Sequence, residues 1–343
     1  MSVSPKLVAG TSVLATGAAM GFGWAAFERH WMRLSRITVP AHPDAPELKI
    51  LHISDLHLTT RTDWIVDFVR SLADLKPDFV VSTGDNFNSR DALEQVTRAY
   101  EPLLEFPGAF VLGSHDFYSP YSSSWSKYLR KDSRKIGDRK RHRIPDLPTE
   151  QFTQLLTSNG WVNAQNRAEG VWVETAAGKA GICLVGTGDA HENADSLEHI
   201  GLWPDPPLTA EDSGTDTPSS LSQTAGTLKL ALTHAPYQRV LNAFTQAEAD
   251  LIVAGHTHGG QLCVPFYGAL VTNCDLPRSY ASGLGIWPPK KSGREQLEDT
   301  DPAGSRQSWL HVSAGLGTTY QAPFRFACRP TATLLELDPG PRG

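Results

Sequence analysis

Five times this chain runs a short apolar stretch directly into a polar tip that carries aspartate or histidine. Leu48, Ile50, Leu51 and Ile53 lead to Ser54-Asp55-Leu56-His57. Phe79-Val80-Val81 leads to Gly84-Asp85-Asn86, and Ala109-Phe110-Val111-Leu112 leads to Gly113-Ser114-His115-Asp116. Leu228 to Leu232 leads to Thr233-His234-Ala235-Pro236, and Leu251-Ile252-Val253-Ala254 leads to Gly255-His256-Thr257-His258-Gly259-Gly260. Runs this short and this apolar predict buried strands. Helical stripes lie between several of them, as in Trp64, Ile65, Phe68, Val69 and Leu72 after Thr62, which predicts a Thr62-capped helix. Strand, polar tip, helix, strand is the rhythm of an α/β layered fold, whose ligands collect at the carboxyl ends of strands. A second helix is predicted over 91–105 and a third over 237–248. A β-hairpin is predicted over 171–186, turning at Ala177-Gly178-Lys179.

The tips are rich in one kind of chemistry. Imidazole is the commonest metal-ligating side chain near neutral pH, and in extended chain the side chains of His256 and His258 share one face. A lone His-x-His is as easily two polar loop residues. Five tips combining Asp and His, each after an apolar strand, are much more specific. Mixed nitrogen and oxygen donors without thiolate suit Mn, Fe or Zn better than Ca. The four cysteines, Cys183, Cys263, Cys274 and Cys328, have no C-x-x-C spacing and read as small buried hydrophobes. A net charge of −6 over 343 residues argues against a dedicated nucleic-acid binder.

Taken together, the five blocks resemble the calcineurin-like metallophosphoesterases, most closely the YkuE-like bacterial branch with an N-terminal membrane segment. The resemblance spans about Leu48 to Leu337. It includes Thr233-His234-Ala235-Pro236-Tyr237, Gly259-Gly260-Gln261, Tyr280-Ala281-Ser282-Gly283-Leu284 and Ala314-Gly315-Leu316-Gly317. It implies a four-layer α/β/β/α sandwich and two divalent or trivalent transition-metal ions. The implied activity is hydrolysis of a phosphoester, a diester or a lipid-linked pyrophosphate as in the UDP-diacylglucosamine hydrolases. A phosphomonoesterase or nucleotidase is the other enzymatic reading, and a non-catalytic scaffold the reading of another class.

By that resemblance Asp55, His57 and His258 hold the first metal, Asp85 bridges, and His234 and His256 hold the second. The family's Gly-Asn-His-Asp/Glu block reads Gly113-Ser114-His115-Asp116 here, so Ser114 stands where an Asn amide is expected as a ligand of the second metal. His115 is open to two roles, general acid or second-metal ligand, and Asp116 is expected to orient it. Arg278 and Arg325 are candidates for pairing with a phosphate or for structural salt bridges. Asn86 and Asn88 are spare amides. His52 and His311 read as packed core histidines, and His191 as a loop residue that could line the site.

The domain division expected is an N-terminal hydrophobic segment (1–38), a linker (39–47) and a catalytic domain (48–338) with insertions at 119–148, 202–227 and 288–308. Leu7 to Phe27 carries no charge and is just long enough for a bilayer span. A membrane anchor, a signal peptide and a protein-packed helix all remain open. Arg29, Arg33 and Arg36, set against Lys6, favour an anchored protein with a cytoplasmic catalytic domain; export is the alternative. The basic stretch 127–143 reads as a solvated helix-loop or as a cap for anionic lipid or polyanionic substrate. Oligomeric state is not legible.

Overall fold

The structure, a computed structural model, describes residues 20–120, 144–206, 224–289, 306–319 and 322–340. Most of each expected insertion, including all of the basic stretch 127–143, lies outside the described residues, as does 1–19.

A helix over 20–28 (α1) precedes β1 (Arg33–Pro40) and β2 (Leu48–Ile53). Then come α2 (Asp63–Ser71), β3 (Phe79–Ser82), α3 (Leu93–Tyr100), β4 (Gly108–Phe110), the single turn α4 (Ser114–Phe117), α5 (Thr149–Ser158) and β5 (Val162–Asn163). The second half runs through β6 (Arg167–Thr175), β7 (Gly178–Gly186), β8 (Thr224–Thr233), α6 (Gln238–Gln246) and β9 (Leu251–Ala254). A small ribbon, β10 (Cys263–Val264) with β11 (Gly268–Ala269), leads to β12 (Gly283–Trp287), β13 (Ser308–Val312) and β14 (Thr331–Asp338).

Two six-stranded sheets result, ordered β1-β14-β2-β3-β4-β5 and β12-β13-β9-β8-β7-β6. Between them lies an apolar layer that includes Ile50, Phe79, Val81, Val111, Leu184, Leu230, Leu232 and Val253. The outer face of the first sheet packs on α2, α3 and α5 through Leu51, Val66, Val96, Tyr100 and Phe152. The outer face of the second packs on α6 through Ala231, Val240, Phe244 and Ile252. Strands buried on both faces have no polar face to show, which is why they read as continuous apolar runs. In the first sheet β2, β3 and β4 are parallel neighbours, and in the second β8 and β9 are. Their carboxyl ends therefore open on one rim.

Two expectations are corrected and one, a membrane-crossing N-terminal helix, is not confirmed. Residues 33–40, expected at the end of the N-terminal segment and in the linker, belong to the domain, because Arg33–Pro40 is a strand paired in parallel with β14 along its whole length. The described part of the hydrophobic segment, residues 20–28, packs on the domain. Ala25 and Glu28 are buried, and Arg325 N–H donates to Ala25 O. Among the described residues no helix is long and apolar enough to cross a membrane. Finally, the Thr62 hydroxyl does not cap α2. It turns back to accept from Thr59 N–H and donate to Thr59 O.

Candidate metal centre

The polar tips continue to pair beyond the strands. Asp55 N–H donates to Gly84 O and His57 N–H to Asp85 O, while Leu316 and Gly317 N–H donate back to Ser54 O and Asp55 O. The last two bonds join the β13 side of the second sheet to the β2 tip of the first, so the rim is stitched across the core. Asp55, His57, Asp85, His256 and His258 all sit at positive φ, between 45° and 69°. For residues other than glycine this backbone is sparsely populated and costs of order 1 kcal/mol or more, persisting where surrounding bonds over-determine it.

The geometry centres on Asp85. Its Oδ2 lies 3.6 Å from His57 Nε2 and 3.4 Å from His234 Nε2, one carboxylate oxygen facing two imidazoles from different sheets. Its Oδ1 accepts from His115 N–H at 2.7 Å. On the His57 side, His57 Nε2 and His258 Nε2 are 3.1 Å apart, and His258 Nε2 is 3.5 Å from Asp55 Oδ1. On the other side His256 packs 5.2 Å from His234, ring to ring. Three overlapping sets of ligand atoms each lie within 4.8 Å: Asp55, His57 and His258; His57, Asp85 and His115; Asp55, Asp85 and His234.

Electrostatics and unpartnered atoms fit a cation. Burial pushes the His57 imidazole down to about 3, with His115 adding to it, and burial holds His256 and His258 well below their ordinary value too. Neutral rings offer lone pairs. His234 is the exception: burial would lower it, but the carboxylate of Asp85 outweighs burial and holds it well above its ordinary value, so a metal there would have to displace a proton. Burial would raise Asp85, but His234, His115 and His57 outweigh it and hold the carboxylate ionised. Asp55 is pushed up to about 7, by burial first, with Asp85's charge adding to it. His57 Nδ1, His258 Nδ1 and His234 Nε2 are buried and make no hydrogen bond. Buried donors and acceptors are nearly always paired, so a rim that leaves imidazole nitrogens unpaired beside two carboxylates is a candidate donor set for metal ions.

The residues behind this rim also have work. Gly113 is required by space, since a Cβ there would lie 2.3 Å from Asp85 Oδ1 and 2.6 Å from His234 Nε2. His234 Nδ1 is held by Thr83 O at 2.6 Å, and His256 Nε2 faces Asn273 O at 3.2 Å. Asp116 departs from expectation. Its carboxylate accepts from the backbone N–H groups of Asp85, Asn86 and Gly113 and from the Asn86 amide, clamping the β3 and β4 tips together. Burial, then the charge of Asp85, raises it to about 6 despite those bonds. Ser114 and His115 line a cavity of about 100 Å³ with Asp85, His256, His258, His191 and Thr319. His115 packs edge-on to His57 at 4.9 Å.

Arg325 does not face this cavity. It is fully buried, and its guanidinium donates to the carbonyls of Gly315, Gly317 and His258, so it braces the rim from behind and no phosphate reaches it. Arg278 is exposed and stacks on Tyr267 at 4.7 Å, away from the cavity lining. Asn86 is buried on Asp116 and Tyr100.

His191, read as a loop residue that could line the site, reaches the cavity, 4.6 Å from the His256 ring, with its Nδ1 3.0 Å from Tyr237 Oη. Other features were not read from the sequence. His52 and His311 are core histidines as expected, but they also head a buried chain. His311 Nδ1 meets His52 Nδ1 at 2.8 Å and His52 Nε2 meets Thr83 Oγ1 at 2.9 Å. The Thr83 hydroxyl donates to Ser54 Oγ, and Ser54 to Asp55 Oδ2 at 2.6 Å. Cys263 and Cys328, read as buried hydrophobes, are half-buried and both direct their thiols at Gly259 O, behind His258.

The calcineurin-like phosphoesterase family profile matches residues 48–260, which carry every one of these candidate ligands. The chain belongs to the calcineurin-like phosphoesterases. It is a metal-dependent phosphoester hydrolase. It is 26% identical to phosphodiesterase YaeI of Escherichia coli K12, over 96% of this chain and 97% of that one. It is 25% identical to the metallophosphoesterase YkuE of Bacillus subtilis 168, over 94% and 93%. A bovine transmembrane protein with a metallophosphoesterase domain is 26% identical over 90% of this chain and 57% of that protein.

Proposed function

We propose that this protein hydrolyses a phosphodiester, or a lipid-linked pyrophosphate, at a dinuclear centre. Asp55, His57 and His258 would hold the first metal, His234 and His256 the second, and Asp85 would be shared by both. The observation that carries the proposal is Asp85 Oδ2, placed between His57 Nε2 and His234 Nε2 at 3.6 and 3.4 Å. The donor set is imidazole and carboxylate with no thiolate, which suits Mn, Fe or Zn. When bound, two such ions polarise phosphoryl oxygens and supply hydroxide at neutral pH.

The chain's own residues do the rest. Asp116 holds the β3 and β4 tips at the spacing that brings Asp85 and His115 together. His115, in the cavity and fixed by its backbone bond to Asp85, gives a proton to the departing alkoxide. Ser114 supplies a hydroxyl where relatives carry an amide, a weaker neutral donor to the second metal. Arg278 and Arg325 are left out of substrate binding by their surroundings. The diester preference draws support from the name of the E. coli relative. The lipid-linked substrate and a cytoplasmic, membrane-attached catalytic domain draw support from the uncharged Leu7–Phe27 run and the arginines after it.

The test is metal analysis of purified protein combined with turnover on a panel of diesters and monoesters. Two equivalents of transition metal with diester preference are expected. Asp85→Ala should lose both metals and activity, and near-normal turnover with full metal content in that variant would overturn the bridging assignment.

A further inference from the structure

The helix α1 is amphipathic in the wrong sense for a water-facing surface. Its inward side is polar. Glu28, only 3% exposed, accepts from the backbone N–H groups of Ala327 and Cys328 at 3.0 and 2.7 Å and from Trp24 Nε1 at 2.9 Å. Arg29 donates to Pro323 O. Its outward side is apolar: Met20, Phe22, Trp24, Phe27 and, just beyond it, Trp31 are between 45% and 71% exposed. Trp24, Phe27 and Trp31 form a mutual cluster with ring centroids 5.7 to 6.2 Å apart, so this is a patch and not a scatter of single residues. A soluble surface buries its apolar stripe and shows its charges, and a contiguous apolar patch marks a contact.

The chemistry around the patch selects the contact. Arg329 lies 3.9 Å over the Trp31 ring, and Arg29 stacks toward Trp64. Aromatic rings beside cations are the composition of segments that lie at the headgroup level of a bilayer. The sequence leading into α1 is uncharged from Leu7 onward. Next to α1 a cavity of about 250 Å³ is lined by Arg29, Arg61, Trp64, Leu316, Thr319 and the rim ligand His57.

We infer that residues 20–31 form a platform that rests on an anionic lipid surface and sets the mouth of the Arg29–Arg61 cavity, with His57 at its floor, against that surface. The role of the cavity in admitting a lipid-borne phosphoester rests on the phosphodiesterase reading above; the platform itself does not. Rigid docking through Glu28 fixes the rings outward before any lipid is met, so contact needs no ordering of the segment.

The experiment uses the full chain in phosphatidylcholine vesicles, with and without phosphatidylglycerol, carrying bromine near the headgroup end of the acyl chains. Bromine should quench tryptophan fluorescence more strongly with the anionic lipid, and Trp24→Phe with Trp31→Phe should remove most of that quenching. Quenching that is absent, or unchanged in the variant, overturns the platform. A second variant, with Phe22, Trp24 and Phe27 each changed to Ser, is assayed on bis(p-nitrophenyl) phosphate in solution and on a phosphodiester lipid in vesicles. The soluble diester should be turned over within about twofold of the parent, and the vesicle substrate about tenfold or more slower, because the apolar side chains no longer bury against lipid. Equal loss on both substrates overturns the platform, as does a concentration-dependent dimer of the parent in solution that the Ser variant abolishes. Intact quenching with no turnover of either substrate by the parent refutes the phosphodiesterase reading and leaves the platform standing.

Discussion

Gly113→Ala tests the metal rim with a single methyl group. Gly113 has φ −103° and ψ 178°, extended backbone that alanine adopts without strain, so the substitution acts through space alone. The new carbon would sit 2.3 Å from Asp85 Oδ1 and 2.6 Å from both His234 Nε2 and Cε1. Ordinary contact needs roughly an ångström more. Neither neighbour can swing away, since the Asp85 and His234 side chains are 4% and 0% exposed. Overpacking of this kind costs about 1–3 kcal/mol. At about 2.1 cal/mol/K of unfolding entropy per residue, that lowers Tm by only about 1–4 °C. Metal binding should suffer far more. Ligand distances tolerate about 0.2 Å, and the relief of this overlap must move a ligand by more. We expect metal affinity to fall about 100-fold or more and turnover with it, while the fold persists. Thermal melts by circular dichroism, metal content by plasma mass spectrometry and diester turnover read the three quantities separately. Gly21→Ala, where a methyl meets nothing within 4 Å, is the control. Full metal content and turnover within about twofold of the parent in Gly113→Ala would refute the placement of the centre between Asp85 and His234.

Further outcomes follow from the same rim. His115→Ala should cost about 10²–10⁴-fold on an alkyl phosphodiester and far less on a nitrophenyl ester, because only the poor leaving group needs a proton. Uniform loss with one metal missing would make His115 a ligand instead. Ser114→Asn should tighten the second metal in a competition titration, and no change would remove Ser114 from the ligand set. Asp116→Asn should lower both Tm and metal content, since an amide cannot accept at both oxygens; unchanged melting would refute the clamp. The buried His311 is pushed down to about 3 by burial, and burial with His311 beside it lowers His52 well below its ordinary value. Their unfolded counterparts take up protons below about 6.5, so stability is lost as pH falls from there toward 3, at about 1.4 kcal/mol per pH unit for each histidine. Denaturant titrations of His52→Gln with His311→Gln should show that slope reduced, and an unaltered slope would refute the linkage.

The polar tips were legible because each is local: an apolar run fixes a strand, and the next few residues are its carboxyl end. The convergence of those tips was legible only through the family resemblance, since spacing alone does not say which strands are neighbours. What failed was non-local or masked. Arg33–Pro40 alternates Leu34, Arg36 and Thr38 with Ser35, Ile37 and Val39, an edge-strand pattern, but its arginines read as charges flanking a membrane segment. Arg325 was open to a phosphate or to a structural salt bridge because sequence gives its charge and not its partners, which are three backbone carbonyls. Asp116 was assigned to His115 by adjacency, yet its turn points the carboxylate back at the β3 tip. The His52 to Asp55 chain crosses from β13 to β2 and β3, a path that only the packing of one sheet on the other defines.

The backbone itself argues against a scaffold that has kept the fold and lost the chemistry. Asp55, His57, Asp85, His256 and His258 occupy left-handed backbone that Gly or Asn would accept at less cost. Around Asp55 the close approach of Gly255 and Gly315 leaves no room for a methyl group, so the rim is crowded as well as strained. A purely structural role would be served by Gly or Asn at each turn, with no buried carboxylate and no imidazole nitrogen left without a hydrogen bond. Asp55→Asn with His258→Asn makes the comparison directly. It removes a carboxylate and an imidazole while keeping residues tolerant of positive φ, so the metal-free variant should melt at or above the metal-free parent and bind at most one metal. A metal-free variant several degrees less stable would mean that these two side chains serve the fold, and the functional reading of the strain would fall.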